Sequence, residues 1–279
     1  MKETALAVAK ILLETKAVKF SPSQPFRWAS GWLSPIYCDN RITLSYPKYR
    51  TFIRQQLADR ITASFGRCDL ITGVATAGIP QGVLVAEQLG LPFAYVRAKA
   101  KEHGTRSLVE GRAEPGSRTV LIEDLISTGQ SSLQAAETLR SEGLDVLCVM
   151  SVFTYGFPIA DQRFEEAGFR SISLCSYSDL LEAAVEQGYL SSDALTSLEA
   201  WRTHPESWTT DSIITLNDGT AWDPLQTHPS SREGPSIQYI KPQNPTKVGP
   251  GPLASQGPAD GYRSLLWFLF HIGFRPHAG

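Results

Sequence analysis

The sequence predicts a mostly parallel, doubly wound α/β sheet, and three observations lead there. Between residues 69 and 202, short apolar runs alternate with amphipathic stretches. Several runs, Val120-Leu121-Ile122 and Val146-Leu147-Cys148-Val149-Met150 among them, are apolar at every position. A strand of that kind needs cover on both faces, which interleaved helices supply. The composition agrees: 279 residues, 42% hydrophobic and 19% charged, suit one large or two small globular domains and exclude collagen-like, coiled-coil and wholly disordered chains.

Taken in order, Ala5, Val8, Ile11 and Leu12 recur at helical spacing. This opening helix lacks the continuous apolar stretch of a secretory signal. Pro47 follows Ser45 and Tyr46 in a favourable first-turn position, and Tyr49, Ile53, Leu57 and Ile61 continue from it as an i, i+4 row. Strands are predicted over 69–74, 93–97, 119–123, 145–154 and 171–176, and helices over 82–89, 131–142, 159–167, 179–187 and 192–202. In such sheets ligands sit beyond the carboxyl ends of the strands, so the strand-to-helix loops are where chemistry is sought.

Twenty-six basic against 28 acidic residues leave a net charge of −2, which makes no electrostatic case for a nucleic-acid or membrane binder. Any anionic ligand must be held locally. Cys38, Cys68, Cys148 and Cys175 form no Cys-x-x-Cys pair and no His lies at metal-ligand spacing, so the expectation is reduced thiols, a cytoplasmic setting and no metal ligands from the protein. The strongly apolar run 265–270 is much shorter than the roughly 20 residues that cross a bilayer.

The loop expected at 123–131 is the most informative. A strand leads into Glu123-Asp124-Leu125-Ile126-Ser127-Thr128-Gly129-Gln130-Ser131, and a helix follows. Hydroxyls and backbone N–H groups of 127–131 at a helix N-terminus make a phosphate cradle. The two acids suit hydroxyl groups instead, and a ligand with both is a ribose 5-phosphate. Negative charge beneath its ring would also stabilise positive charge at the anomeric carbon. A helix cap with two solvated acids reads the same residues without a ligand. Likewise, Gly73 to Pro80, with small Ala75, Thr76, Ala77 and Gly78, lets backbone approach a pyrophosphate or simply makes a tight turn.

With its apolar strand, paired acids, two apolar residues and Ser-Thr-Gly, 120–129 resembles the phosphoribosyl-diphosphate (PRPP) motif of type I phosphoribosyltransferases. Two further segments resemble the orotate phosphoribosyltransferase family in particular: Ala29-Ser30-Gly31-Trp32-Leu33-Ser34-Pro35-Ile36-Tyr37-Cys38-Asp39-Asn40-Arg41, its N-terminal substrate segment, and 73–80, its second loop. The resemblance runs over residues 1–208. It implies a type I phosphoribosyltransferase-like fold with an N-terminal helical hood, and transfer of ribose 5-phosphate from PRPP to N1 of orotate.

Between Arg97 and Gly111 the sequence is polar, and Arg97, Lys99, Lys101 and His103 alternate, so an extended segment would project all four from one face. An exposed basic loop reads the same way. Beside a pyrophosphate site, the row is better understood as a lid. The resemblance assigns PRPP contacts to Arg97, Lys101 and His103, and to Glu123, Asp124, Leu125, Ile126, Ser127, Thr128, Gly129, Gln130 and Ser131. It makes Lys101 and Asp124 catalytic and gives orotate to Ser127 and Tyr37. It further implies Mg²⁺ on the pyrophosphate and a homodimer whose lid loops reach into each other's sites.

Departures from the family pattern are visible. Leu33 stands where a lysine is usual, which removes a cation worth roughly 1.5–3 kcal/mol in a charged hydrogen bond. Tyr155 lies near a position where some members carry an orotate-binding arginine. Two other readings share 123–131: a non-catalytic PRPP-sensing regulator, which would want a basic surface and a degenerate lid, and a purine phosphoribosyltransferase, which leaves 29–41 unexplained. Nine of the 18 prolines and eight of the 22 glycines fall after residue 208. The expected division is therefore a catalytic domain over 1–208 and a Pro/Gly-rich, largely disordered tail of unknown function over 209–279.

Overall fold

In the computed structural model, which describes residues 2–22, 24–28, 31–99 and 107–208, the chain opens on α1 (Lys2–Glu14). The helical row seen in the sequence, Ala5, Val8, Ile11 and Leu12, is its buried side. A hood of small pieces follows. β1 (Val18–Phe20) pairs antiparallel with β4 (Ile36–Cys38), and between them β2 (Phe26–Arg27) pairs with β3 (Leu33–Ser34). A 3₁₀ helix, Asn40–Ser45, begins at Asp39, whose carboxylate accepts from the Arg41 N–H at 3.2 Å. α2 (Pro47–Phe65) then starts on Pro47 and buries Ile53, Leu57 and Ile61.

The sheet is built from β5 (Leu70–Val74), β6 (Phe93–Val96), β7 (Val109–Glu110), β8 (Arg118–Ile126), β9 (Asp145–Thr154) and β10 (Ser171–Ser176). Its order is β10-β9-β8-β5-β6-β7, parallel throughout except for the β6–β7 pair. The connecting helices are α3 (Gly78–Leu89), α4 (Gln130–Ser141), α5 (Pro158–Glu166) and α6 (Tyr177–Glu186), and α7 (Ser192–Thr203) follows. The winding reverses between β5 and β8: from β5 the chain moves to β6, and from β8 it moves the other way to β9 and β10. The carboxyl ends of β5 and β8 therefore flank the crevice where this architecture binds ligands.

The apolar strands serve two cores, as their composition requires. Val120, Ile122, Cys148 and Met150 face one with α1, α2 and α6, while the alternating Leu121 and Val149 face the other with α4 and α5. Burying both faces is what makes a run without alternation stable as a strand.

Two expectations change. β8 does not stop at Glu123 but carries the acids and Leu125 on to Ile126, because β9 is long enough to keep pairing: Glu123 lies opposite Ser151, Leu125 opposite Phe153 and Ile126 opposite Thr154. Acids are poor strand formers, so the sequence alone reads them as loop. α3 starts at Gly78 rather than residue 82. The two- and three-residue strands of the hood and β7 carry too few residues for a periodic signal.

Candidate active site

At the reversal point lies a cavity of about 300 Å³ lined by Cys38, Asp39, Arg41, Val74, Ala75, Thr76, Ala77, Glu123, Asp124, Leu125, Ser127 and Ser131. Three stretches far apart in sequence meet in it. A second depression of about 420 Å³ lies beside α1 and β10, but its cation, Lys2, is already tied to Asp179 and Glu182, and none of the candidate segments reaches it.

The floor comes from the turn after β5. The Ala75 N–H donates to Val96 O at 2.9 Å, the Ala75–Thr76 peptide is cis, and Ile79 N–H closes the turn on Thr76 O at 3.3 Å. Gly78 is required here: a Cβ would run into the Ile122 carbonyl oxygen and lie 3.3 Å from the Glu123 Cα. That missing methyl lets the first turn of α3 rest directly on the end of β8.

The turn from β8 into α4 forms a second wall. Gly129 caps α4 at φ +75°, and the ring of Phe164 lies 3.0 Å from where its Cβ would stand. Arg163 Nη1 donates to Thr128 O at 2.9 Å and ties this turn to α5. Leu125, Ser127 and Ser131 line the cavity, with Thr128, Gly129 and Gln130 making the turn between them. Ile126 is different: its side chain is buried in the core, and its carbonyl accepts from Tyr155 N–H at 3.0 Å.

The acids are not equivalent. Glu123 is 5% exposed, and both its oxygens are engaged, Oε1 by the Asp124 N–H at 3.0 Å and Oε2 by the Ser132 hydroxyl at 3.2 Å. Burial, and then the charge of Asp124, push its carboxyl well above the ordinary 4.5. Asp124 is half-buried and is also raised by burial, although a hydrogen bond from Glu123, the Leu125 N–H and the Arg41 charge oppose the shift. Asp124 is thus the acid more open to a ligand.

The hood supplies the third wall. Arg41 binds Asp39 through Nε at 2.7 Å and Nη2 at 2.9 Å, which holds the Asp39 carboxyl below its usual range. Among the described lining residues Arg41 is the sole cation. The Cys38 thiol is pushed up by burial and by Asp124. Tyr37, on β4, stays outside the cavity, 40% exposed and 5.5 Å from the Phe26 ring. Arg97 lies at the base of the expected lid, with its N–H on Leu108 O at 2.8 Å and its guanidinium on Glu110 at 3.3 Å. Lys101 and His103 lie outside the described residues.

Leu33 packs against the main core and does not line the cavity, so the structure puts an apolar contact where the sequence suggested a missing cation. Tyr155 is 2% exposed among the rings of Trp28, Phe153, Phe157, Tyr177 and Trp201. It is core, not a stand-in for an arginine. Sequence reasoning assigned no role to Cys38, Asp39, Asn40, Arg41 or Ser132. The first four lay inside the segment 29–41, whose position in that stretch was the available signal, whereas Ser132 sits one residue past the motif. Among the described residues, no helix is long and apolar enough to cross a membrane.

Comparison with known proteins fits this geometry. The family model described as "Phosphoribosyl transferase domain" matches residues 50–179. The orotate phosphoribosyltransferase of Porphyromonas gingivalis is 50% identical over 208 residues, covering 75% of this chain and 99% of that protein. That of Listeria monocytogenes serotype 4b is 47% identical over 201 residues, covering 72% and 96%. The crystal structure of orotate phosphoribosyltransferase from Aeropyrum pernix superposes with a TM-score of 0.58 at 29% identity, covering 66% of this chain and 99% of that one.

Proposed function

Since the chain belongs to the orotate phosphoribosyltransferase family, we propose that it transfers ribose 5-phosphate from PRPP to N1 of orotate, releasing pyrophosphate and forming orotidine 5′-phosphate on the route to UMP. The observation that carries this reading is the cavity itself, where the hood segment, the turn after β5 and the end of β8 converge.

Breaking the anomeric C–O bond puts positive charge on the sugar and negative charge on the departing pyrophosphate. Asp124 receives ribose hydroxyls and, beneath the ring, stabilises the positive charge. Glu123 holds Asp124 in place by accepting from the Asp124 backbone N–H. The N-terminus of α4, with Ser127 and Ser131, takes the 5-phosphate. Small residues 75–77 leave room for the pyrophosphate, over which Arg97, Lys101 and His103 close. Orotate lies towards the hood, near Ser127 and the backbone that leads into Tyr37.

No cluster of three or more metal-ligating side chains occurs among the described residues. The residues fit Mg²⁺ carried on the pyrophosphate: Asp124, the more open of the paired acids, would hold it, with water completing its shell. Bound there, Mg²⁺ supplies neutralisation of the leaving group's charge. The active form is a homodimer with exchanged lids, and the four free cysteines support a cytoplasmic setting.

The test is loss of orotate absorbance with PRPP and Mg²⁺, abolished in Lys101→Ala. No turnover with PRPP still bound would overturn the enzyme reading in favour of a PRPP sensor. Mixing Lys101→Ala with Asp124→Asn subunits tests lid exchange: recovered activity supports it, and none refutes it.

A further inference from the structure

β5 accompanies β8 only as far as Ile122, so residues 123–126 run on without a β5 partner. The hood takes over at that point. Asn40 Nδ2 donates to the Asp124 carbonyl at 2.7 Å across 84 residues of sequence. Asn40 is 1% exposed, and its other end is held as well, since the Cys38 thiol donates to Oδ1 at 3.0 Å. With a donor on Oδ1 and an acceptor on Nδ2, the amide has one orientation. The Asn40 carbonyl accepts from Thr43 Oγ1 at 2.7 Å, which locks the residue into the first turn of the 3₁₀ helix, beside the Asp39 and Arg41 rim. One buried amide therefore joins the hood wall of the cavity to the wall that bears the acids.

We propose that Asn40 is a positioning residue for the transfer reaction, setting Asp124 against the hood so that the ribose and the acceptor base meet at a fixed separation. The inference rests on the orotate phosphoribosyltransferase reading. Asn40 touches neither substrate and acts through the Asp124 backbone. Without its donor the half-buried Asp124 carbonyl loses this partner, and the end of β8 loses its link to the hood.

The experiment compares full-length wild type, Asn40→Ala and Asn40→Asp, with kcat and both KM values measured across pH and PRPP affinity measured by calorimetry. Asn40→Ala is expected to lower kcat by up to about 100-fold, the scale of an ångström of misplacement, with a smaller rise in KM for PRPP. In Asn40→Asp the new carboxyl, beside Cys38, Arg41 and Asp124, can donate to the Asp124 carbonyl only when protonated. Its activity is therefore expected to climb relative to Asn40→Ala as pH falls, a difference that a purely structural role does not produce.

Unchanged kcat in both variants, or identical pH profiles for them, overturns the proposal. Should Asn40→Ala fail to fold, Cys38→Ala is compared with Cys38→Ser, which keeps a donor for the far end of the amide: a kcat lower in Cys38→Ala than in Cys38→Ser supports the proposal, and equal values overturn it. If wild type turns over no orotate, the functional reading fails instead, and PRPP affinity decides the role of Asn40. Weaker binding in Asn40→Ala that Asn40→Asp regains at low pH then supports it, and unchanged binding overturns it.

Discussion

The indole N–H of Trp201, in α7, donates to the carbonyl oxygen of Leu33, in β3, at 2.9 Å across 168 residues of sequence. Trp201 is fully buried, with the rings of Trp28, Tyr155, Phe157 and Tyr177 within 5.7 Å of its own. The last described helix is thus part of the hood's support, and we propose that the catalytic domain ends just after it. A chain ending at Trp208 is expected to keep its thermal midpoint and orotate turnover, whereas one ending at Tyr189 loses both. Trp201→Ala should cost about 3–5 kcal/mol, measurable by urea unfolding.

Glu123 makes stability depend on pH with a defined sign. Its folded carboxyl titrates above the ordinary 4.5 because it is buried beside Asp124. As pH rises past 4.5 the unfolded chain ionises there while the folded chain keeps its proton, so the folded state loses stability until the higher folded value is passed. Glu123→Gln can keep the bonds to the Asp124 N–H and Ser132 without that loss. Its melting temperature is expected to exceed wild type at pH 8, by about 2–4 °C for each kcal/mol recovered, and to match it near pH 4. Turnover should fall. A gain equal at both pH values would refute the burial argument.

Gly78 lets α3 rest directly on the end of β8. Gly78→Ala must push the Ile122 carbonyl and Glu123 aside, at a cost of about 1–3 kcal/mol for overpacking. Because the turn at 75–77 and both acids line the same cavity, PRPP affinity should weaken along with the melting temperature. Val83→Ala, exposed on the same helix, is the control expected to change neither.

Thiol labelling reports on the cavity directly. Cys68 is buried and raised, Cys148 is pushed up to about 12, and Cys175 is raised further, all mainly by burial. Cys38 is also raised but is only half-buried and faces the cavity. At pH 8 the native protein should label slowly at Cys38 alone, all four thiols should react in denaturant, and PRPP should slow the native reaction. Labelling that PRPP leaves unchanged would count against this cavity as its site.

Apolar runs such as 120–122 and 146–150 disclosed the two-sided sheet because a strand without a polar face has no stable place except between covering layers. The stretch 120–131 stood out as a candidate site for a similar reason: adjacent acids, hydroxyls and a glycine offer their donors and acceptors through local backbone. What depended on the third dimension was which acid is open. Glu123 and Asp124 are neighbours of like chemistry, and the Ser132 hydroxyl holds Glu123 inward. Leu33 and Tyr155 looked like altered ligands from sequence because position along the chain does not say which way a side chain faces; the structure puts both against the core.

Residue order therefore settled the fold class and marked the stretches proposed to carry chemistry, both of which arise from short-range pattern. The length of β8, the link from Asn40 to Asp124 and the dependence of the hood on Trp201 were decided by tertiary structure. Each is a hydrogen bond or strand pairing between segments distant in sequence, and such pairings leave no periodic trace in either partner.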